Sequence, residues 1–123
     1  MNLSLATLRG AELHTAGVKL RITGTAPGAE QLLVGVRPEH LRVGGEAPRE
    51  AVRLQANVTA VEPLGAETFV HLDAAGTPLR ARMPGFEAPA RGDTVPVHFL
   101  PRHVHAFASN EPRQRVEVTL EAP

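Results

Sequence analysis

The sequence of 123 residues contains no cysteine, no tryptophan and no tyrosine, and Lys19 is its only lysine. Without cysteine, disulfides and thiolate chemistry are excluded, which favours a reducing, cytosolic compartment. The 13 basic and 13 acidic residues give a formal net charge of zero, so the composition indicates no polyanionic partner. No segment approaches the roughly 20 apolar residues that a membrane helix needs.

Sequence motifs of nucleotide and hydrolytic chemistry are also missing. Lys19 lies between Val18 and Leu20, without the glycines of a phosphate-binding loop. Ser4 and Ser109 are the only serines, and neither lies in the context of a nucleophile elbow. We therefore expect no catalytic residue, no cofactor and no metal in this chain, and no ATP hydrolysis by the chain alone.

Eleven glycines and eleven prolines divide the chain into short apolar runs. Apolar residues that alternate with polar ones predict a meander of strands, and further strands precede it. The expected strands are 18–22, 31–36, 52–60, 68–72, 79–83, 95–99 and 116–120, with turns at 63–65 and 73–76. Pro96 is expected to place its strand at an edge or a bulge. These patterns predict an all-β fold, a small antiparallel OB-like or MOP-like barrel of roughly eight or nine short strands with little helix.

The length favours one domain over residues 1–123. The stretch 44–50 is polar and rich in glycine and proline, so it is the best internal boundary. We expect an amino-terminal portion at 1–50 and the main strand meander at 51–120.

The segment around Arg37, Pro38, Glu39 and His40 is the most informative stretch. Pro38 disfavours the helical region for Arg37 and itself suits the first position of a helical turn. Glu39 then lies where the dipole of that turn favours negative charge. The segment predicts a strand that ends at a rigid corner.

This segment, V-G-V-R-P-E-H-L, resembles one in the carboxy-terminal domains of ABC importer ATP-binding subunits of the MalK and UgpC type. The run 60–68, which includes Glu62, Gly65 and Glu67, resembles the V-x-E-x-L-G-x-E-T turn of that family. The run 91–97 resembles its glycine-marked turn into the next strand.

A fourth match, His105-Ala106-Phe107, resembles the family's H-L-F, with Ala106 in place of the usual leucine. The four matches occur in the family's order. The resemblance implies an OB-like antiparallel barrel, often named the transport-associated OB domain, and assigns His105 to a segment that closes it.

The resemblance also implies a function. The chain would be a regulatory and dimerisation domain of an importer's ATP-binding subunit, for carbohydrate or glycerol phosphate, on the cytoplasmic face of the membrane. Its partners would be the same domain in a homodimer, the ATPase domain, the permease and, in some members, a regulatory protein or small ligand. ATP and magnesium would belong to the parent's ATPase domain.

Two pairs of charged residues have competing interpretations. Arg37 and Glu39 could contact a regulatory protein or a neighbouring subunit, but an internal clamp that pins strand ends is favoured. Glu62 and Glu67 flank one turn and could form a carboxylate pair. Without a nucleophile or a metal beside them, solvated turn charges are the better interpretation.

Three histidines allow an alternative role as metal ligands, and the OB-like fold allows an alternative function. His98, His103 and His105 could hold a divalent metal, since His103 and His105 would share one face of a strand, but ordinary surface or edge histidines are favoured. A stand-alone OB-fold module that binds nucleic acid or a small ligand is the rival function. It fits poorly because a nucleic-acid site needs aromatic side chains along a basic groove.

Overall fold

The computed structural model describes residues 1–24, 28–85, 88–110 and 114–123. In these residues the chain forms twelve strands and two single 3-10 turns. The strands are β1 (Asn2–Arg9), β2 (Glu12–Thr15), β3 (Val18–Thr23), β4 (Gln31–Val36), β5 (Arg42–Val43), β6 (Val52–Pro63), β7 (Glu67–Ala74), β8 (Thr77–Pro84), β9 (Thr94–Phe99), β10 (His105–Ala108), β11 (Arg115–Val116) and β12 (Thr119–Glu121). The first 3-10 turn is Pro38–His40 and the second is Pro101–His103.

The strands form two antiparallel sheets. The first sheet has the order β11-β10-β4-β1-β2-β3-β12, and the second has the order β5-β9-β6-β7-β8. The prediction of an all-β fold with little helix is confirmed. The strand count of eight or nine was too low, partly because the expected strand 116–120 is two short strands. β11 pairs with β10 and β12 pairs with β3, so the two pieces lie at opposite edges of the first sheet.

One hydrophobic core lies between the inner faces of the two sheets. The first sheet contributes buried residues that include Leu13, Leu20 and Leu32, and the second contributes Val70 and Leu72. In β7 every second residue is buried, as the period of a strand with one wet face requires. Both sheets therefore depend on the same apolar contacts.

A bulge in β6 explains why the alternation in its sequence breaks. The register with β7 shifts between Val58 and Ala60, so Thr59 is the extra residue. Thr59 and Ala60 are both exposed, and Val61 then faces inward in place of an even-numbered residue. The bulge lets the strand continue to Pro63, beyond the predicted end at residue 60.

The expectation that Pro96 marks an edge strand was wrong, because β9 lies between β5 and β6. The short length of β5 accommodates the proline. β5 pairs only with Val97 and His98, and the Gly44 N–H then donates to the Pro96 carbonyl at 2.9 Å. The Pro96 nitrogen faces that same side, where the ladder ends, so no ladder bond needs its missing N–H.

Two short hairpin loops have an unusual backbone. Ala16 and Gly17 join β2 to β3 with φ of 49° and 77°, and Ala75 and Gly76 join β7 to β8 with φ of 50° and 88°. Positive φ at both central residues is typical of a type I′ turn, which matches the twist of the flanking strands. The predicted turn at 73–76 is therefore confirmed as a tight loop at 75–76.

The portions 1–50 and 51–120 do not correspond to the two sheets. β10 and β12, from the second portion, complete the first sheet, while β5, from the first portion, is the edge of the second. The division of the chain at 44–50 stays a prediction about its organisation. Across the described residues, no helix has the length and apolar character to cross a membrane.

Candidate functional site

The corner predicted after β4 forms as the sequence indicates. Arg37 is extended, with φ −68° and ψ 144°, and Pro38 occupies the first position of the 3-10 turn. The His40 N–H donates to the Arg37 carbonyl at 2.9 Å, and the Leu41 N–H donates to the Pro38 carbonyl at 3.3 Å. The proline thus ends the strand and turns the chain toward the second sheet.

Arg82 of β8 joins this corner to the β6–β7 turn. Its Nη2 lies 4.0 Å from Oε2 of Glu39, and its Nε lies 3.3 Å from Oε2 of Glu67. The pKa of Glu39 is lowered, first by a hydrogen bond to the residue's own backbone and, against the opposing effect of burial, by Arg82. Two family-like motifs that are far apart in sequence therefore meet on one guanidinium.

The arginine that clamps this corner is not the one expected from the sequence. In the described part of the chain, no hydrogen bond or ion pair joins the exposed side chain of Arg37 to another residue. Arg82 takes that role instead, because β8 packs beside the first 3-10 turn. In the sequence, Arg82 is only a polar position of the predicted strand 79–83, since nothing in the spacing showed which carboxylates it would face.

Glu62 and Glu67 do not form a carboxylate pair. The Glu62 Oε1 atom lies 3.3 Å from Nε2 of His71, whereas Glu67 pairs with Arg82. Gly65 turns the chain between them with φ of 88°. Both carboxylates are about half-exposed, so they form surface ion pairs, which agrees with the interpretation as solvated turn charges.

The histidines near the carboxy terminus are not arranged as expected. His103 lies in the second 3-10 turn rather than in a strand with His105, and its ring stacks on that of His40 at 3.8 Å between centroids. The expectation of one shared strand face was wrong because Pro101 turns the chain between β9 and β10. Among the described residues, no group of three His, Cys, Asp or Glu side chains could hold a metal ion.

His105 has a separate set of contacts. An Arg115 Nη2 donates to its Nδ1 at 2.8 Å, which requires a neutral imidazole with the proton on Nε2. Burial lowers the pKa of His105, and the nearby charges of Arg115 and Arg37 lower it further. In β10 it lies opposite Gly35 of β4, next to the edge strand β11 of the first sheet, and its role in a segment that closes a barrel stays a prediction.

An apolar patch covers the outer face of the first sheet. The register places Leu3 opposite Gly35, and Leu5 opposite Leu33, which in turn lies opposite Phe107. Residues directly opposite one another project from the same face. We call this surface the apolar face; its members are Met1, Leu3, Leu5, Leu33 and Phe107.

Exposure distinguishes the apolar face from ordinary surface. Met1 and Leu3 are 47% exposed and Leu5 is 52% exposed. Gly35 leaves the room that two of them fill, since a Cβ there would lie 2.6 Å from the Met1 Sδ and 2.7 Å from a Leu3 Cδ. Phe107 was among the residues expected from the sequence, but the leucines were not, because β1 was not predicted as a strand. The alternation of Leu3 and Leu5 with polar residues was the signal that could have found it.

A comparison with protein families decides the identity of the fold. A family model described as the TOBE domain matches residues 34–107, which is more than half of the chain. The chain belongs to the TOBE-domain family. The matched range of this TOBE domain begins in β4, includes the corner at Arg37 and ends at Phe107, so the family resemblance predicted from the sequence is confirmed.

Curated relatives of the TOBE domain are ATP-binding proteins by name. It is 34% identical over 123 residues to the sn-glycerol-3-phosphate import ATP-binding protein UgpC of Rhodopseudomonas palustris (strain HaA2), covering 86% of this chain and 33% of the relative. The chain is 42% identical over 92 residues to the protein of the same name from Cereibacter sphaeroides, and this match covers 74% of the chain and 25% of the relative. It is 32% identical over 120 residues to the sulfoquinovosyl glycerol transport ATP-binding protein SmoE of Agrobacterium fabrum, covering 92% and 33%. The chain spans about a third or less of the length of these relatives.

Proposed function

We propose that this TOBE domain is the regulatory and dimerisation domain of the ATP-binding subunit of an ABC importer. The match of residues 34–107 to the TOBE-domain model carries the proposal, together with the import ATP-binding proteins among its relatives. Glycerol phosphate, or a related carbohydrate, is the solute that those names favour. The subunit would lie in the cytoplasm, held at the membrane by a permease.

The domain pairs with a second copy of itself through the apolar face. Half-exposed leucines beside Phe107 form an apolar surface, and the buried centre of a protein interface is more apolar than its rim. The face lies on a regular sheet, so a two-fold axis across it would bring each patch onto the same patch of the partner. Arg115, which lies opposite Phe107 in the register, supplies a polar rim.

The self-association is weak in the isolated domain. The apolar face has a single aromatic ring, and aromatic anchors are what make small interfaces tight. In the parent subunit, two tethered copies would meet at a high effective concentration, so a modest interface is sufficient. We expect a dissociation constant that is roughly micromolar or weaker.

Partners other than a second copy would use the corner between the sheets. Arg37 is exposed beside the Arg82 clamp, so its guanidinium is available to a carboxylate of the ATPase domain, the permease or a regulatory protein. ATP and magnesium would bind the ATPase domain of the parent, and this domain would not hydrolyse ATP.

Sedimentation equilibrium tests the dimerisation proposal. Runs across a wide range of concentrations should fit a reversible equilibrium between monomer and dimer. A strictly monomeric profile at the highest soluble concentration would contradict dimerisation by this domain.

Calorimetric titration with ATP and magnesium should show no binding, and micromolar binding with release of phosphate would contradict the assignment of ATP to another domain.

A further inference from the structure

A basic depression lies where the two 3-10 turns meet the loop after β5. It is open to solvent, has a volume of about 500 Å³ and is distinct from the apolar face. The side chains that define the basic depression are His40, Arg42, His98, Arg102 and His103. Glu46 is the one acidic side chain among the described residues that line it.

The fold builds this cluster from distant parts of the sequence. Pairing of β5 with β9 places Arg42 opposite His98 on one face of the second sheet. Stacking of His40 on His103, with ring centroids 3.8 Å apart and planes 15° apart, joins the first 3-10 turn to the second. Arg102 precedes His103 in that turn. The basic groups are therefore held together by paired backbone and stacked rings.

The positive charge of the depression is poorly neutralised. Within the described residues, neither Arg42 nor Arg102 forms an ion pair. The pKa of His98 is lowered by burial first and then by Arg42 and Arg53. The pKa of His103 is lowered by burial first and then by His40 and the arginines around it. Cationic groups that are gathered without forming ion pairs repel one another, and a bound anion would reduce that repulsion.

The backbone of the loop also leaves space for a ligand. Gly44 and Gly45 follow β5 with φ of 69° and 72°, and neither carries a side chain that would cover the depression. The Nδ1 atom of His40 is buried and has no hydrogen-bond partner among the described residues. The volume exceeds that of a bare inorganic ion and falls in the range of small-molecule sites.

We propose that the basic depression binds a small organic anion through a doubly charged oxyanion group, such as a phosphate monoester. Arg42 and Arg102 would donate to its oxygens, since guanidinium groups match oxyanions in charge and geometry. His98 and His103 would donate to the same group when protonated. This proposal goes beyond the proposed function and is independent of dimerisation.

Calorimetric titration of the full chain with methyl phosphate, inorganic phosphate and sulfate, at constant ionic strength, tests the proposal. We expect one saturable site per chain, and we expect methyl phosphate to bind more tightly than either inorganic ion because the depression has room for its carbon. The double variant Arg42→Gln/Arg102→Gln should weaken binding by about tenfold or more, the loss expected from a charged hydrogen bond. Both arginines are exposed, so an unchanged melting curve should verify folding of the variant.

A control variant separates a built site from general attraction to positive charge. The double variant Arg9→Gln/Arg91→Gln removes the same charge at exposed positions outside the depression and should bind within about twofold of the unmodified chain. Equal losses in the two double variants would overturn the proposal. So would tight, salt-sensitive binding of a labelled single-stranded oligonucleotide that is lost in Arg42→Gln/Arg102→Gln, because the ligand would then be a nucleic acid.

The pH dependence provides a second test. Sulfate keeps its double charge over the range in which histidine titrates, so any change in its affinity reports on the protein. Lowering the pH from about 8 to about 6 should strengthen sulfate binding severalfold as the two histidines become protonated. The variant His98→Gln should reduce that pH dependence while it remains folded. An affinity for sulfate that does not change with pH would contradict the assigned role of the histidines.

Discussion

The outer faces of the two sheets differ in chemistry, although their inner faces share one core. The first sheet presents the half-exposed Leu3 and Leu5 beside Phe107. The second sheet presents charged and polar side chains. Arg82 lies between two glutamates there, and the Arg80 guanidinium stacks 4.5 Å above the Phe69 ring. On the outer face of the second sheet, even the Phe69 ring is therefore covered by another side chain of the same chain.

This difference distinguishes a surface whose side chains contact one another within the chain from a surface that we propose for association. Ion pairs and a cation–π contact engage the outward-facing Arg80 and Arg82 of β8 with groups of the same chain. The apolar face has no such cover in the described residues. A patch of exposed leucines on a regular sheet is the type of surface that marks a protein interface. Both sheets therefore contribute to the interior, whereas the proposed self-association uses the first sheet alone.

The largest expected effect tests whether the two sheets share one core. Leu13 of the first sheet is fully buried and Leu72 of the second is 1% exposed. Either Leu13→Ala or Leu72→Ala should lower the free energy of unfolding by about 2–5 kcal/mol, because each leaves a cavity. Thermal unfolding should remain a single transition in both variants. Two separate transitions, with only one shifted by each variant, would contradict a shared core.

A smaller loss of stability is expected when either of the two arginines at the corner is replaced. Arg82→Gln removes the link between Glu39 and Glu67, and since all three side chains are partly exposed, it should cost about 1 kcal/mol or less. Arg37→Gln should change the free energy of unfolding by less than about 0.5 kcal/mol. Chemical denaturation measures both. A larger loss for Arg37→Gln would restore the internal clamp predicted from the sequence.

The stability contributed by the same corner should decrease as the pH is lowered. The pKa of Glu39 is lower in the folded chain than its ordinary value of 4.5. Its contribution is therefore fully present above that ordinary value and is lost as the pH falls through the folded pKa. The difference between Arg82→Gln and the unmodified chain should accordingly shrink in acid. A difference that persists once Glu39 is protonated would show that the arginine stabilises the fold through other contacts.

Sequence patterns predicted the second sheet better than the first for a physical reason. Its long strands β6, β7 and β8 are consecutive in the chain, so alternation and tight turns are visible in order. The first sheet combines strands from both ends of the chain, and β11 and β12 are too short to show any period. The corner at Pro38 was predictable from proline geometry. Its Arg82 partner was not, because only the packing of β8 brings that side chain there.

The smallest expected effect concerns the hairpin loop at Ala75. Left-handed backbone disfavours alanine, and asparagine before glycine is a preferred pair in such turns. Ala75 is exposed with φ of 50°, so Ala75→Asn should raise the free energy of unfolding by up to about 1 kcal/mol. Equilibrium denaturation in urea is the appropriate measurement. A destabilised variant would contradict the type I′ assignment.

Self-association through the apolar face is tested most directly by sedimentation equilibrium of matched variants. Leu3→Gln/Leu5→Gln removes two half-exposed side chains from that face, whereas Leu64→Gln removes one of similar exposure, 52%, from the β6–β7 turn. The first variant should weaken the dimer by about tenfold or more while its melting curve stays unchanged, and Leu64→Gln should leave the dimer intact. Dimerisation that survives Leu3→Gln/Leu5→Gln, or that is lost in Leu64→Gln, would contradict the assignment of association to the first sheet.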